Sequence, residues 1–390
     1  MKSNYRYIVK AFMAMAVIAG TTSCDDFLDR EPMSSISPET YYSTAAQLEA
    51  NLNDEYPNVL PSFGQWTYGI FGEDKGTDNQ IEVNANDRYT QDRWKVPHSE
   101  SDNWKFERIY RINFFLSEAL PKFGEDMSGS QNTISGSVAT IKHYIGEMYF
   151  LRAYEYFKKL QLFGDFPIIN QPLADEMEAL REASKRFPRN EVARFIISDL
   201  DKAYAYMSDV DMATTRINKD AAMLVKSRVA LFEATWLQNF KGTAFVPGGE
   251  GWPGASLHNN YQYPSGNIDN EVKYFLEQAV EASKLVADKY KGSLTENTGV
   301  LQQSADDPSN PYFDMFAQED LSDVKEVLLW RQYARGLSTH NINAAAGRGN
   351  YRIGLTRGFV QNFLMKDGTP VYAHGSYADG DGYYMGDKTV

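Results

Sequence analysis

The chain has 390 residues, 43% of them apolar and 23% charged, which is ample material for a buried core and excludes low-complexity disorder. Basic groups number 39 against 52 acidic ones, a net charge of -13 with an isoelectric point near 5.0, so no long-range field draws in a phosphate backbone and nucleic acid is not an expected partner. One cysteine excludes an internal disulfide and a zinc site of several thiolates, while an aromatic content of 14% offers flat apolar faces with polar edges, suited to ring-shaped ligands.

Residues 1–23 read as an export signal: Lys2, Arg6 and Lys10 make a positive start, Ala11 to Gly20 is apolar, and Thr21-Thr22-Ser23 supplies small residues before a cleavage point. The apolar run is far shorter than the ~18 residues of a spanning helix. Cys24, the only thiol, follows the small residues directly, and the position resembles the lipobox of bacterial lipoproteins, with Thr21 where that motif usually carries Leu. A plain secretory signal with an incidental Cys is the alternative; acylation of Cys24 would hold the chain on a membrane without crossing it. Asp25 and Asp26 follow as an acidic pair, and 24–40 reads as a tether.

Five amphipathic helices are expected next. The first runs from Trp104 to Leu120 through Phe106, Ile109, Tyr110, Asn113 and Leu116, with Pro121 as its stop. The second runs from Ile141 to Phe163, with Gly164 as a left-handed cap and Pro167 forcing an extended exit. Asn190 is the expected N-cap of the third, whose stripe is Val192, Phe195, Ile196, Leu200, Ala203, Tyr204 and Met207, with Asp199 and Asp201 on the wet side. The fourth runs from about Asp220 through Leu224, Val225, Arg228, Leu231, Phe232 and Trp236, and the fifth from Glu271 to Tyr290 through Phe275, Leu276, Ala279 and Val280. Ala153 and Ala230 each stand among aromatic residues, the small-next-to-large packing of tetratricopeptide-type helical hairpins, at a separation far above that repeat's ~34 residues. Glu326 to Trp330 is compatible with a short strand. The fold class is therefore mainly α: a tetratricopeptide-like helical-hairpin solenoid with long irregular loops and a few short strands.

Several blocks, in order along nearly the whole chain, resemble the SusD/RagB family of surface glycan-binding lipoproteins. They are Ser23-Cys24-Asp25-Asp26-Phe27-Leu28-Asp29, Trp104 followed by Ile109-Tyr110-Arg111-Ile112-Asn113, Gly146-Glu147-Met148-Tyr149-Phe150-Leu151-Arg152-Ala153, and Leu162-Phe163-Gly164-Asp165-Phe166-Pro167. Ile197-Ser198-Asp199-Leu200, Asn218-Lys219-Asp220-Ala221-Ala222 and Phe363-Leu364-Met365-Lys366-Asp367-Gly368 continue the series. The resemblance implies a helical scaffold tethered by lipid to the outer membrane at the cell surface, and a SusC-like TonB-dependent transporter as partner, to which a captured oligosaccharide is passed. It implies a helical N-terminal domain over 41–315 and the start of a C-terminal region over 316–390. Family members usually continue further, so the chain reads as truncated.

The search for chemistry finds no enzyme motif. Gly249-Glu250-Gly251-Trp252-Pro253-Gly254 matches a dinucleotide fingerprint without the strand before it or the helix after it, and is read as loop glycine. His98, His143, His258, His340 and His374 lack the spacing of a zinc-protease pair, and Asp379-Gly380-Asp381-Gly382 lacks the later Glu of a calcium loop. No metal and no cofactor are expected. Arg152 and Asn113, polar on apolar stripes, are read as structural, and Trp104, Trp236 and Trp330 as core.

Two long irregular stretches hold the remaining aromatic residues, 56–103 and 242–270. Loops of that length inside compact domains are usually functional. A sugar ring offers an axial C–H face that stacks on Trp or Tyr and a rim of hydroxyls that pairs with Asp, Asn or Arg. The candidate glycan-binding residues are Trp66, Tyr68, Asp74, Asp78, Asn79, Arg88 and Trp94 in the first stretch and Trp252, Tyr261 and Tyr263 in the second. The competing reading of each is a scaffold seal or a solvated acid. At the level of the molecule, the alternative to a glycan binder is a helical scaffold binding peptides or a partner subunit in an apolar groove.

Overall fold

The computed structural model describes residues 41–64, 73–81, 103–124, 126–208, 212–300, 304, 306–334, 339, 354–365, 367–370 and 373. The signal segment, Cys24 and the tether lie outside the described residues, as does Asp379 to Gly382. Among the described residues the order is α1 (Ala45–Val59), β1 (Gln80–Ile81), α2 (Glu107–Phe123), α3 (Val138–Phe163), α4 (Met177–Ala183), α5 (Arg189–Tyr206), α6 (Lys219–Asn239), α7 (Ile268–Tyr290), α8 (Pro311–Met315), β2 (Gly354–Leu355) and α9 (Arg357–Gln361). The chain forms two compact units. One takes in the described residues of Met1–Glu55, Ile109–Val210 and Phe232–Val272; the other those of Tyr56–Arg108, Asp211–Leu231 and Lys273–Val390. None of the described helices is long and apolar enough to cross a membrane.

The first unit is built on α3 packed against α5. Ser137 caps α3 by accepting the Thr140 N–H at 3.4 Å, and Gly164 closes it at φ +66° while its N–H donates to Leu160 O at 2.9 Å. Contact between the helices is close because Gly146 has no side chain: a Cβ there would stand 2.8 Å from the Met207 backbone nitrogen and 2.9 Å from Ala203 O. Tyr149 stacks on Tyr206 with centroids 5.6 Å apart, and Ala153 is fully buried, as a small residue beside large ones should be.

α3 is buried on nearly every side, and its buried polar side chains are therefore partnered. His143 lies 3.1 Å from Glu147, and Lys159 lies 3.3 Å from Glu155. Arg152 forks onto Asp199 at 2.6 and 2.8 Å and donates from Nη1 to Asn113 Oδ1 at 2.9 Å and Asn170 O at 3.1 Å. Asn113 Nδ2 in turn donates to Ile169 O at 2.9 Å, so Arg152 and Asn113 are structural, as their positions imply. Asp199, expected on the wet side, is fully buried because it is the counter-ion that Arg152 requires.

Other expectations are corrected. Pro121 lies inside α2, which runs on to Phe123. α5 begins at Arg189 with Pro188 at the N-cap position, two residues before the place Asn190 would give it, and the Asn190 side chain is spent in the core, donating to Glu271 at 3.0 Å. On α6 the inward face is Ala222, Lys226, Val229, Ala230, Glu233 and Leu237, while Leu224 and Leu231 are exposed. Segment 326–330 is not a strand: Val327 donates locally to Val324 O, and Leu328 O and the Trp330 N–H are pinned by Asn218 and Thr214 O.

Candidate functional site

In the stretch 242–270, in the first unit, Trp252 turns inward and Tyr261 and Tyr263 are half-buried, while Phe245 is exposed. Trp252 is only 5% exposed, and its Nε1–H donates to Asp165 Oδ2 at 2.7 Å, while Asp165 Oδ1 accepts the Arg189 N–H at 2.8 Å. Burial pushes the Asp165 carboxyl up from the usual carboxylate range against the pull of these two donors. The half-buried Tyr261 donates to Asn190 Oδ1 at 3.1 Å and the half-buried Tyr263 to Pro247 O at 2.6 Å, and burial pushes both phenols up. Trp252 is therefore a structural wedge rather than a stacking platform, since no face of its indole is left for a ligand.

Beneath this loop, Arg189 forks onto the fully buried Glu233 at 3.0 and 2.9 Å and lies 4.1 Å from the Trp236 ring centroid. Desolvation raises Glu233. Burial also pushes Glu271 up, but hydrogen bonds from Arg194, Asn190 and Ser265 outweigh it and leave Glu271 below its usual range.

Of the first stretch, Asp74, Asp78 and Asn79 are described and belong to the second unit; Trp66, Tyr68, Arg88 and Trp94 lie outside the described residues. The backbone of 74–81 is held by its own turn and by a short antiparallel ribbon. Thr77 donates to Asp74 O at 2.7 Å, Gln80 pairs with Leu355 and Ile81 with Gly354, and Thr356 donates its N–H to Asn79 O at 2.9 Å and its hydroxyl to Asp78 O. The Asp74 and Asp78 side chains stay in solvent, Asn79 is half-buried, and Ile81, Leu355 and Phe363 are each 52% exposed.

The second unit also carries Trp330, expected in the core, together with Tyr333 and Tyr56. All three are half-buried. Trp330 donates Nε1–H to Thr214 Oγ1 at 2.8 Å; the Tyr333 hydroxyl accepts the Phe63 N–H at 3.2 Å, and that of Tyr56 accepts the Ile217 N–H at 2.9 Å. Arg331 lies 5.5 Å from the Tyr333 centroid and is hydrogen-bonded to Ser62, and Arg216 lies 5.6 Å from that of Tyr56. Rings fixed by their polar edges, with guanidinium groups alongside, match the mixture that sugar recognition uses. The available signal was the alternation of Trp330-Arg331-Gln332-Tyr333, which ends the apolar run with charge. Among the described residues no group of metal-ligating side chains is assembled.

Comparison with known proteins gives one consistent result. A family model for SusD-like proteins, described as starch-binding and associating with the outer membrane, matches residues 26–231, just over half of the chain. Two curated SusD-like proteins of Formosa agariphila are each 25% identical, over 233 and 253 residues; the matches cover 55% and 62% of this chain but only 41% and 46% of those proteins. A solved SusD-like carbohydrate-binding protein of Bacteroides fragilis superimposes with a TM-score of 0.54 at 15% identity, covering 87% of this chain and 57% of that one, a likeness of fold.

Proposed function

Because the chain belongs to the SusD-like family, we propose that it is a non-catalytic glycan-binding lipoprotein of the outer-membrane cell surface, which captures oligosaccharide and passes it to a SusC-like TonB-dependent transporter. The observation that carries the reading is the match of residues 26–231 to the family whose description is starch binding at the outer membrane. Lipidation of Cys24 would supply the attachment, and the division into a helical domain over 41–315 and a further region over 316–390 belongs to the same proposal.

Physical chemistry supports sugar as the ligand. A pyranose loses little by leaving water if its C–H face covers an aromatic ring and its hydroxyls find charged or amide partners. The half-buried Trp330 and Tyr333 with Arg331, and the half-buried Tyr56 with Arg216, offer such groups; Asp74, Asp78 and Asn79 supply hydroxyl partners elsewhere in the second unit. We assign the binding surface to this unit, with Trp66, Tyr68, Arg88 and Trp94 as further members, and withdraw Trp252 from it.

The test is a screen of residues 24–390 against immobilised α- and β-linked oligosaccharides, beside a pull-down of outer-membrane transporters from the native host. Saccharide capture supports the proposal. Loss of every saccharide with retained transporter capture moves the protein to the class of interaction scaffolds.

A further inference from the structure

We infer that the segment from Gly242 to Gly266 is a hinged strap that moves as one body and is latched shut by the Asp165 side chain. The segment has its own interior. Trp252 lies 5.9 Å from the His258 ring and 5.6 Å from that of Tyr261, and Tyr261 meets Tyr263 edge-on at 5.2 Å. Its backbone folds back on itself: Glu250 donates to Gly242 O at 3.1 Å, and a Cβ on Gly249 would stand 1.9 Å from Thr243 O. A loop packed by its own side chains holds its shape independently of what it rests on.

Its two ends are glycines in the left-handed region, Gly242 at φ +82° and Gly266 at φ +92°. A Cβ at Gly242 would meet no atom within 4 Å, and at Gly266 only the Asn270 side-chain nitrogen at 4.0 Å, so neither pivot is enclosed. Near the pivots the strap is tied to α6, α5 and α7: Trp236 Nε1–H donates to Phe245 O at 3.1 Å, Arg194 donates to Ser265 Oγ at 2.7 Å and the Ser265 N–H donates to Glu271 at 3.2 Å, and Val246 is buried. Between the pivots it meets the segments that flank α3 and α5, and the first turn of α5. Trp252 donates to Asp165, Tyr261 to Asn190, and His258 Nε2 lies 2.8 Å from Arg186 O. Asp165 is the latch because its two oxygens serve both sides at once, Oδ2 the strap through Trp252 and Oδ1 the scaffold through the Arg189 N–H. An amide in its place turns an NH2 group toward one of these two donors. Opening would uncover Asp165, Arg189 and the Trp252 ring.

The experiment measures spin-label distances in the chain with Cys24, its only cysteine, replaced by Ser. One label pair joins strap to scaffold, at the exposed positions Leu257 and Val138; the other lies within the strap, at Leu257 and Phe245. Asp165→Asn is expected to add a second, displaced peak to the strap-to-scaffold distance while the within-strap distance stays single and narrow. Tyr261→Phe, which removes only a hydroxyl and serves if Asp165→Asn does not fold, is expected to give the same second peak in a smaller share of molecules. An unchanged strap-to-scaffold distance in the folded variants overturns the inference. So does broadening of the within-strap distance, which would mean that the loop melts instead of swinging.

Discussion

At the scale of single residues, the energetics of the first unit rest on charges that have been taken out of water and then matched. Arg152 and Asp199 are both buried and share a two-point hydrogen bond. Removing one member leaves the other ionised in a medium that cannot solvate it, so Asp199→Ala is expected to cost about 3–5 kcal/mol in a urea unfolding titration, while replacing both residues by apolar ones of similar volume costs far less. Glu271 gives a prediction with a sign in pH. Its carboxyl is held below the usual value of 4.5 in the folded chain, so the unfolded chain binds the proton more tightly. The stability it contributes is fully present above that value and is lost as pH falls through the lower folded one. Thermal melts between pH 3 and pH 7, a range of about four units around the ordinary carboxylate pKa, should show Glu271→Gln less stable than the parent at neutral pH and with a flatter decline on the acid side. Glu233, raised by desolvation, acts in the opposite direction, since its ionisation opposes folding as pH rises. Sequence pattern alone could not separate these carboxylates from solvated ones. Asp199 sits beside Asp201 in a polar-looking stretch, and its burial follows only from where Arg152 points across the helix pair.

At the scale of elements, the long helices were legible because their apolar residues recur at three and four, and because Gly164 marks an end. The inward faces were less so. On α7, Phe275 and Ala279 are buried as expected, yet Val280 is 63% exposed, and Glu271 is inside with its arginine partner. Hydropathy ranks an alanine below a valine, whereas close helix packing selects the small residue. α1 went unread although Leu48, Leu52 and Val59 line one side, because Pro57 and its Asn and Asp residues resemble loop composition. The α3–α5 contact supplies the sharpest test at this scale. Gly146→Ala would drive a methyl group against the Met207 and Ala203 backbone, which has no side-chain freedom to yield. The expected loss is about 1–3 kcal/mol of unfolding free energy, read by chemical denaturation with helicity as the signal. A neutral result would mean that the helices stand further apart than described.

At the scale of the whole molecule, an acidic, aromatic-rich helical scaffold presents its half-exposed rings beside arginines in the second unit, and uses the Gly/Pro-rich loop of the first for its own packing. Composition pointed to ring recognition, and the ordered blocks pointed to the family; neither could say which loops turn outward. The tryptophan in the glycine-rich loop went inside, where Asp165 offers its indole a partner, and the one at the end of an apolar run is half-buried with its indole N–H held by Thr214. The central claim is that these partly exposed rings hold saccharide without cleaving it. The most direct measurement is isothermal titration of residues 24–390 with the oligosaccharide that binds best, repeated with Trp330→Ala. The account predicts a saturable heat for the parent with the sugar recovered intact, and at least about a tenfold weaker affinity for the variant, the loss of one stacking ring. Equal affinity in a folded Trp330→Ala protein, or shortened sugar after incubation with the parent, would contradict it.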